Sequence, residues 1–354
     1  MNQMQIEQKH NIYGKYSGRG LTGLANIGNT CYLNSCMQIL SHTYELNDFL
    51  SSGMYRNRIN KVSDSVIMVE WDKLREMMWS SNCTIAPWGF VKNVQKVAAI
   101  KDRDLFTGNA QNDVQEFLLF VIDSFHNSIR REVDMKITGN VVNDTDKMAK
   151  ICYAMMQDMY KKDYSEILNI FYGIHVSEIK SIATDETLSM RPEPFSVLSL
   201  PIPNIKMPTI FDCMDEYCKK EELSGVNAWY NDKTGNYEEV KRGITFWSLP
   251  NVLIIDLKRW NYDGRKISKL VTTELCDVNF SKYVEGYNKE SYIYELYGVA
   301  NHSGGVTDGG HYTASIKNAN GRWYEFNDTF IKELDNIQHI VSPKSYCFFF
   351  RKKK

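Results

Sequence analysis

The sequence has no C-x-x-C pair, although its 354 residues include eight cysteines, at 31, 36, 83, 152, 213, 218, 276 and 347. That absence removes the commonest ligand spacing of a structural zinc. Cys213 and Cys218 are separated by four residues but have no second Cys/His pair nearby, so neither a metal nor a cofactor is expected. Long apolar runs are missing as well. Phe117 to Ile122 is among the longest, far short of the ~20 residues of a membrane helix, and no membrane partner is expected. The opening stretch MNQMQIEQKHNIYGKYSG is polar and lacks the apolar centre of a secretory signal. An intracellular protein, cytoplasmic or nuclear, with reduced thiols is therefore expected. No excess of either charge exists: 42 Lys+Arg face 43 Asp+Glu, a net charge of −1. A nucleic-acid binder driven by phosphate contacts needs a basic surplus, so that class is excluded.

What is present is core material. Hydrophobic residues make up 43% of the chain and aromatics 12%, which excludes wholesale disorder. Residues 1–19 read as a flexible polar tail. A Gly/Asn-rich loop, Leu21 to Thr30, then leads into a run whose apolar residues Leu33, Cys36, Met37 and Leu40 fall at helical spacing. Asn29 or Thr30 would cap this helix and put Cys31 in its first turn. A second helix follows Gln111-Asn112-Asp113, with Val114, Phe117, Leu118, Val121, Ile122 and Phe125 as its stripe. A third helical stretch, about Lys147 to Ile170, is rich in Met and Tyr, and Met155, Met156 and Met159 read as its core. Short apolar runs then dominate: 195–202, 252–257, 292–299, 311–317, 322–326 and 345–350 suit strands. Helices first and strands afterwards indicate an α+β fold in one multi-lobed unit.

Cys31 is the cysteine placed for chemistry. The positive end of a helix dipole favours thiolate in a first turn, whereas Cys36 sits on the apolar stripe. A cysteine nucleophile needs a histidine and a group to orient it. Among seven histidines, His311 follows Gly309-Gly310 and opens a strand. Asn318-Ala319-Asn320-Gly321 turns that strand into Arg322 to Phe326. If Lys317 faces Arg322, His311 faces Asp328; a shift of one residue puts Asn327 opposite instead. Either way an Asn or Asp comes within cross-strand reach of the imidazole.

These residues carry a resemblance. Gly23 to Ser35 (GLANIGNTCYLNS) resembles the Cys box of the ubiquitin-specific proteases, and Gly309 to Ala314 (GGHYTA) with Trp323 to Asp328 (WYEFND) resembles the His box. Gln111 to Leu118 and Leu249 to Trp260 resemble the helix and strand between the boxes, in the family's order, over about residues 20–351. The resemblance implies a papain-like cysteine protease fold: a helical thumb at about 20–170, then β fingers and a β-rich palm at about 171–351. It implies a deubiquitinating thiol protease with Cys31 as nucleophile, His311 as base, Asn327 as third catalytic residue and Asp328 assisting. Asn26 matches the side-chain donor of the oxyanion hole. The alternatives are an inactive ubiquitin-binding module or a protease for a ubiquitin-like modifier. Ubiquitin and ubiquitinated proteins are the implied partners of a monomer. Family members often carry two zinc-binding C-x-x-C pairs in the fingers; here the matching places, near His175 to Ile179 and Trp229 to Asp232, contain no cysteine. Cys213 and Cys218 fall instead in an expected helix, Ile210 to Glu222.

Three substrate contacts follow from the same resemblance, each with a plainer alternative. Asp113 would sit near the entrance for ubiquitin's basic tail, or cap a helix whose first turn holds Glu116. His302, on the Gly-rich loop before the His box, would touch substrate or be solvated. Tyr312, like Trp323, would line the tail channel or pack in the sheet. Arg351 to Lys354 reads as a solvated basic end.

Overall fold

The computed structural model describes residues 12–306 and 309–353. Helices α1 (Cys31–Ser41), α2 (Tyr44–Ser51), α3 (Asp64–Ser80), α4 (Trp88–Ile100) and α5 (Val114–Ile129) dominate the first part, with two short strands, β1 (Gly23–Leu24) and β2 (Thr84–Ile85). Helices α6 (Asp144–Asp163) and α7 (Glu166–Phe171) come next, followed by strands β3 (Gly173–Ser181), β4 (Thr187–Phe195) and β5 (Leu198–Leu200) and helix α8 (Ile210–Cys218). Then come β6 (Glu221–Leu223), β7 (Trp229–Asn231), β8 (Asn236–Glu238), β9 (Val240–Ser248), β10 (Val252–Leu257) and β11 (Val278–Asn279). The chain ends with β12 (Ile293–Val306), β13 (Gly309–Lys317), β14 (Trp323–Asn327), β15 (Phe330–Glu333) and β16 (Ser345–Lys352). No helix among the described residues is long and apolar enough to cross a membrane.

The contacts divide the chain into two compact units. One gathers the chain up to Ile129 with Arg259–Val271 and Leu296–Phe349; the other gathers Arg130–Lys258, Thr272–Glu295 and Phe350–Lys354. The break after Ile129 lies well before residue 170, where the thumb was expected to end. The reason is α6, whose Met148, Ala149 and Cys152 pack against Ile174, Val176 and Trp247 of the strands that follow. Met155 and Met156 join that cluster. The expected third helix is two helices, α6 and α7, because Tyr164 and Ser165 take extended backbone angles.

In the first unit α1 is buried on every side. Its apolar stripe of Leu33, Cys36, Met37 and Leu40 contributes about 1.5–3 kcal/mol per large side chain. The opposite face carries Asn34 and Gln38, and buried polar groups need partners. Gln38 donates to the Thr22 carbonyl at 2.7 Å and Asn34 to the Leu24 carbonyl at 3.2 Å. These bonds hold segment 22–25 along the helix, where β1 pairs in parallel with β2. The sheet of this unit runs β15-β14-β13-β12-β16. Helix α1 lies so close to it that a Cβ on Gly298 would stand 2.8 Å from Ile39.

The expected tail is not loose where it is described. Tyr16 is 7% exposed and stacks on Tyr44, with ring centres 4.5 Å apart. Its hydroxyl donates to Asp48 at 2.6 Å, and Tyr13 donates to Glu45 at 2.8 Å. Aromatic packing overrides the polar composition of the segment; residues 1–11 lie outside the described residues. Tyr16→Ala is expected to destabilise the protein by about 3–5 kcal/mol, read as a lower urea midpoint. A loss below ~1 kcal/mol would return the segment to a tail.

In the second unit the antiparallel sheet β4-β3-β9-β6 forms the finger-like element. His175 to Ile179 lies in β3 and is paired on both sides, and Trp229 and Tyr230 pair with β8. Ladder hydrogen bonds thus hold the places where the resemblance would put zinc-binding cysteines. Among the described residues no group of three or more His, Cys, Asp or Glu is placed to hold a metal. The helix expected over 210–222 stops at Cys218, and Glu221–Leu223 crosses into the sheet as β6.

Candidate active site

Cys31 is the first residue of α1, as its spacing predicts, and is 2% exposed. The capping is not as expected. Thr30 makes no side-chain cap; its hydroxyl instead accepts the Ile27 N–H at 3.1 Å, and Asn26 Oδ1 accepts the Thr30 N–H at 3.0 Å. Asn26 therefore braces the turn that leads into the helix. Gly28 (φ 122°) and Asn29 (φ 55°) carry the left-handed backbone of this turn, and Asn29 is tied to the Asn109 carbonyl at 2.9 Å.

The helix dipole does not win at the thiol. Burial pushes the Cys31 thiol above its ordinary value; a hydrogen bond from the Tyr312 backbone lowers it, and the Asp328 carboxylate raises it again. The reason is that desolvation of a thiolate in a nearly closed site outweighs a few oriented N–H groups. Cys36, fully buried without polar help, is pushed further up by desolvation alone.

His311 opens β13, and its Nε2 is 2.7 Å from Asn327 Oδ1. Neither expected register is the one adopted. Asn318 and Gly321 close a turn in which Gly321 takes φ 84°, and Lys317 pairs with Trp323. The longer turn moves Asn327 to the diagonal position, on the same face as His311, while Asp328 points away. Asp328 works elsewhere. One carboxylate oxygen accepts the Asn26 amide at 3.0 Å, the other accepts the Asn34 amide at 2.8 Å, and its carbonyl accepts the Leu24 N–H. Asp328 thus joins the loop before Cys31 to α1 and to the strand end after His311.

A cysteine at a helix start, a paired His–Asn and an anchored Asn amide share one unit of the chain, and the comparisons agree on what that unit is. A family model described as ubiquitin carboxyl-terminal hydrolase matches residues 22–350. The chain belongs to this family. It is 32% identical to ubiquitin carboxyl-terminal hydrolase Usp2 of Drosophila melanogaster, over 94% of this chain and 35% of that protein. It is 31% identical to ubiquitin carboxyl-terminal hydrolase 2 of Homo sapiens, over 94% of this chain and 55% of that protein. The chain thus spans between about a third and a half of these relatives. A solved SAGA DUB module of Ubp8, Sgf11, Sus1 and Sgf73 bound to monoubiquitin has a TM-score of 0.73 at 22% identity, covering 95% of this chain and 70% of that one. The same module bound to ubiquitin aldehyde gives 0.73, with 96% and 71% covered. The fold is the α+β papain-like fold of the ubiquitin-specific protease catalytic domain.

The three expected substrate contacts of this hydrolase-family chain are tied into its framework. Asp113 Oδ1 accepts the Gln115 N–H at 2.7 Å at the start of α5, and Oδ2 accepts the Tyr346 hydroxyl at 2.8 Å. Asp113 nevertheless borders a recess of about 350 Å³ with Gln111, Glu116 and Trp260. Burial, and then Asp113, raise the Glu116 carboxyl. Tyr312 is buried, its hydroxyl 3.4 Å from Asp113, and Trp323 is buried in β14.

His302 departs most from expectation. It lies in β12 and not on a solvated loop, paired with Tyr312 and 2% exposed. Its ring fills the space over Gly310, where a Cβ would come within 2.3 Å of Nε2. Lys266 donates to the His302 carbonyl and lies 3.2 Å from its Nδ1. Burial, then Lys266 and His311, push His302 down to about 4, so it is neutral at pH 7. Lys266 itself is lowered to about 8 by burial, Arg259 and Lys344. Sequence reasoning missed Asn34, Gln38, Lys266 and Tyr346. Only the first two left a signal: amide side chains four residues apart in a mainly apolar helix.

Proposed function

We propose that this chain is a thiol protease that hydrolyses the isopeptide or peptide bond after the C-terminal glycine of ubiquitin. The observation that carries the reading is the His311–Asn327 pair at 2.7 Å, on the strand whose next residue, Tyr312, hydrogen-bonds the Cys31 thiol. In this reading His311 removes the thiol proton and the thiolate attacks the glycine carbonyl. The second hydrogen of the Asn26 amide and the Cys31 backbone N–H hold the oxyanion. Protonated His311 then gives its proton to the departing amine, and water hydrolyses the thioester. Asn327 orients the imidazole without adding a full negative charge. Asp113 and Tyr312 border the approach of ubiquitin's tail, and His302 supports that approach from within the sheet.

Ubiquitin bearing a C-terminal electrophile tests the reading: a single adduct at Cys31 is expected, located by peptide mass spectrometry. Binding without an adduct would make the chain a ubiquitin-binding module. Faster labelling by a ubiquitin-like probe would move the substrate to that modifier. The raised thiol gives a further prediction. A group raised by burial stays protonated to higher pH, so alkylation of Cys31 by iodoacetamide in the free protein is expected to be slow at neutral pH. It should climb through and beyond pH 9, the ordinary thiol value. A rate already flat at neutral pH would mean a preformed thiolate.

A further inference from the structure

We propose that the recess on the His311 face of β13 receives the leaving side of the cleaved bond, and that it favours acidic residues flanking the acceptor lysine. The proposal rests on the hydrolase reading above.

Successive residues of a strand point to opposite faces. Tyr312 turns toward Asp113 and the recess at α5, while His311 turns to the other face. There it borders a second recess of about 440 Å³, floored by Asn301, Thr313 and Ser315 and reaching Asn327. The floor is polar and internally bonded: Asn301 donates to Ser315 at 3.1 Å and accepts from Ser345 at 3.1 Å. A solvated sheet face needs no wall, yet this one is walled by residues of the 334–344 segment, including His339 and Lys344. The departing amine takes its proton from His311, so whatever is attached to that amine lies on the His311 side.

The charges on this face set the preference. Its one carboxylate, Glu325, faces Lys332 across the strand pair. Lys344 is a second lysine of the same lining. Lys332 and Lys344 against Glu325 leave the lining of the recess with an excess of positive charge. Beside Asn327, in register with it, stands Phe330, 60% exposed. An aromatic ring beside the Asn327 partner of the histidine is a surface for the aliphatic stem of a lysine.

The test compares two substrates in which ubiquitin is joined to the ε-amine of a lysine in a short peptide. One peptide has Glu on both sides of the lysine, the other has Arg; ubiquitin–aminocoumarin, which has no peptide, monitors hydrolysis itself. A kcat/KM roughly three- to tenfold higher for the Glu peptide is expected, shrinking as salt is added. In the Lys332→Glu/Lys344→Glu variant the ratio should fall to one or invert; a ratio within one preparation is insensitive to partial unfolding. Equal rates on both peptides while aminocoumarin is released, or a ratio unmoved by charge reversal, would overturn the proposal. If no ubiquitin derivative is cleaved, the hydrolase reading fails, and this one with it.

Discussion

Cys31→Ala is expected to lower hydrolysis of ubiquitin–aminocoumarin by about a millionfold while leaving ubiquitin binding intact. The size follows from the proposed role: without its nucleophile the site loses the covalent route, and the donors that remain supply only the residual rate of a bare site. The fold should survive. Cys31 starts a helix anchored by the apolar stripe behind it and by Asn34 and Gln38, so losing one sulfur costs about 1 kcal/mol. The measurement pairs turnover with ubiquitin titration by calorimetry. Residual turnover above about a thousandth of wild type would take the nucleophile's role from Cys31.

Asp328→Ala is expected to lower kcat about 10²–10³-fold at nearly constant KM, although Asp328 does not touch His311. Its carboxylate holds the Asn26 amide at 3.0 Å and the Asn34 amide at 2.8 Å, so removing it frees the proposed oxyanion donor to turn. Asn26→Ala should cost about as much, and the double variant little more than either, because both remove one device. A positioning role has a second signature here. Asp328 raises the Cys31 thiol, so Asp328→Ala should make Cys31 alkylation faster while hydrolysis becomes slower. Asn327→Ala must behave differently, losing about 10²–10⁴-fold through its histidine and recovering with Asn327→Asp. Strict additivity of Asn26→Ala and Asp328→Ala, or a wild-type rate for Asp328→Ala, would separate Asp328 from the oxyanion donor.

That division of labour between two adjacent residues marks the limit of the sequence. Which of Asn327 and Asp328 meets His311 depends on one residue of turn length, and the turn Asn318 to Gly321 admits more than one form. The answer came from Gly321 in the left-handed region and a pairing that neither simple register contains. The thiol is a similar case. A helix start argues for thiolate, but burial depends on what covers the helix, and that cover comes from strands about 280 residues away. Tyr16 and His302 err in the same direction, since each sits in a locally polar segment that distant aromatic or backbone partners bury.

By itself the sequence determined the α+β class, the placement of Cys31 at a helix start and of His311 on a strand, the central helix and the absence of any C-x-x-C pair. These depend on spacing within a few turns or strands, where periodicity and residue type are decisive. Only the tertiary structure decided that Asn327 serves the histidine and Asp328 the Asn26 amide, that α6 belongs with the strands after it, and that His302 is neutral and enclosed. Those outcomes turn on contacts between segments far apart in the chain, and on desolvation, which no stretch of sequence carries alone.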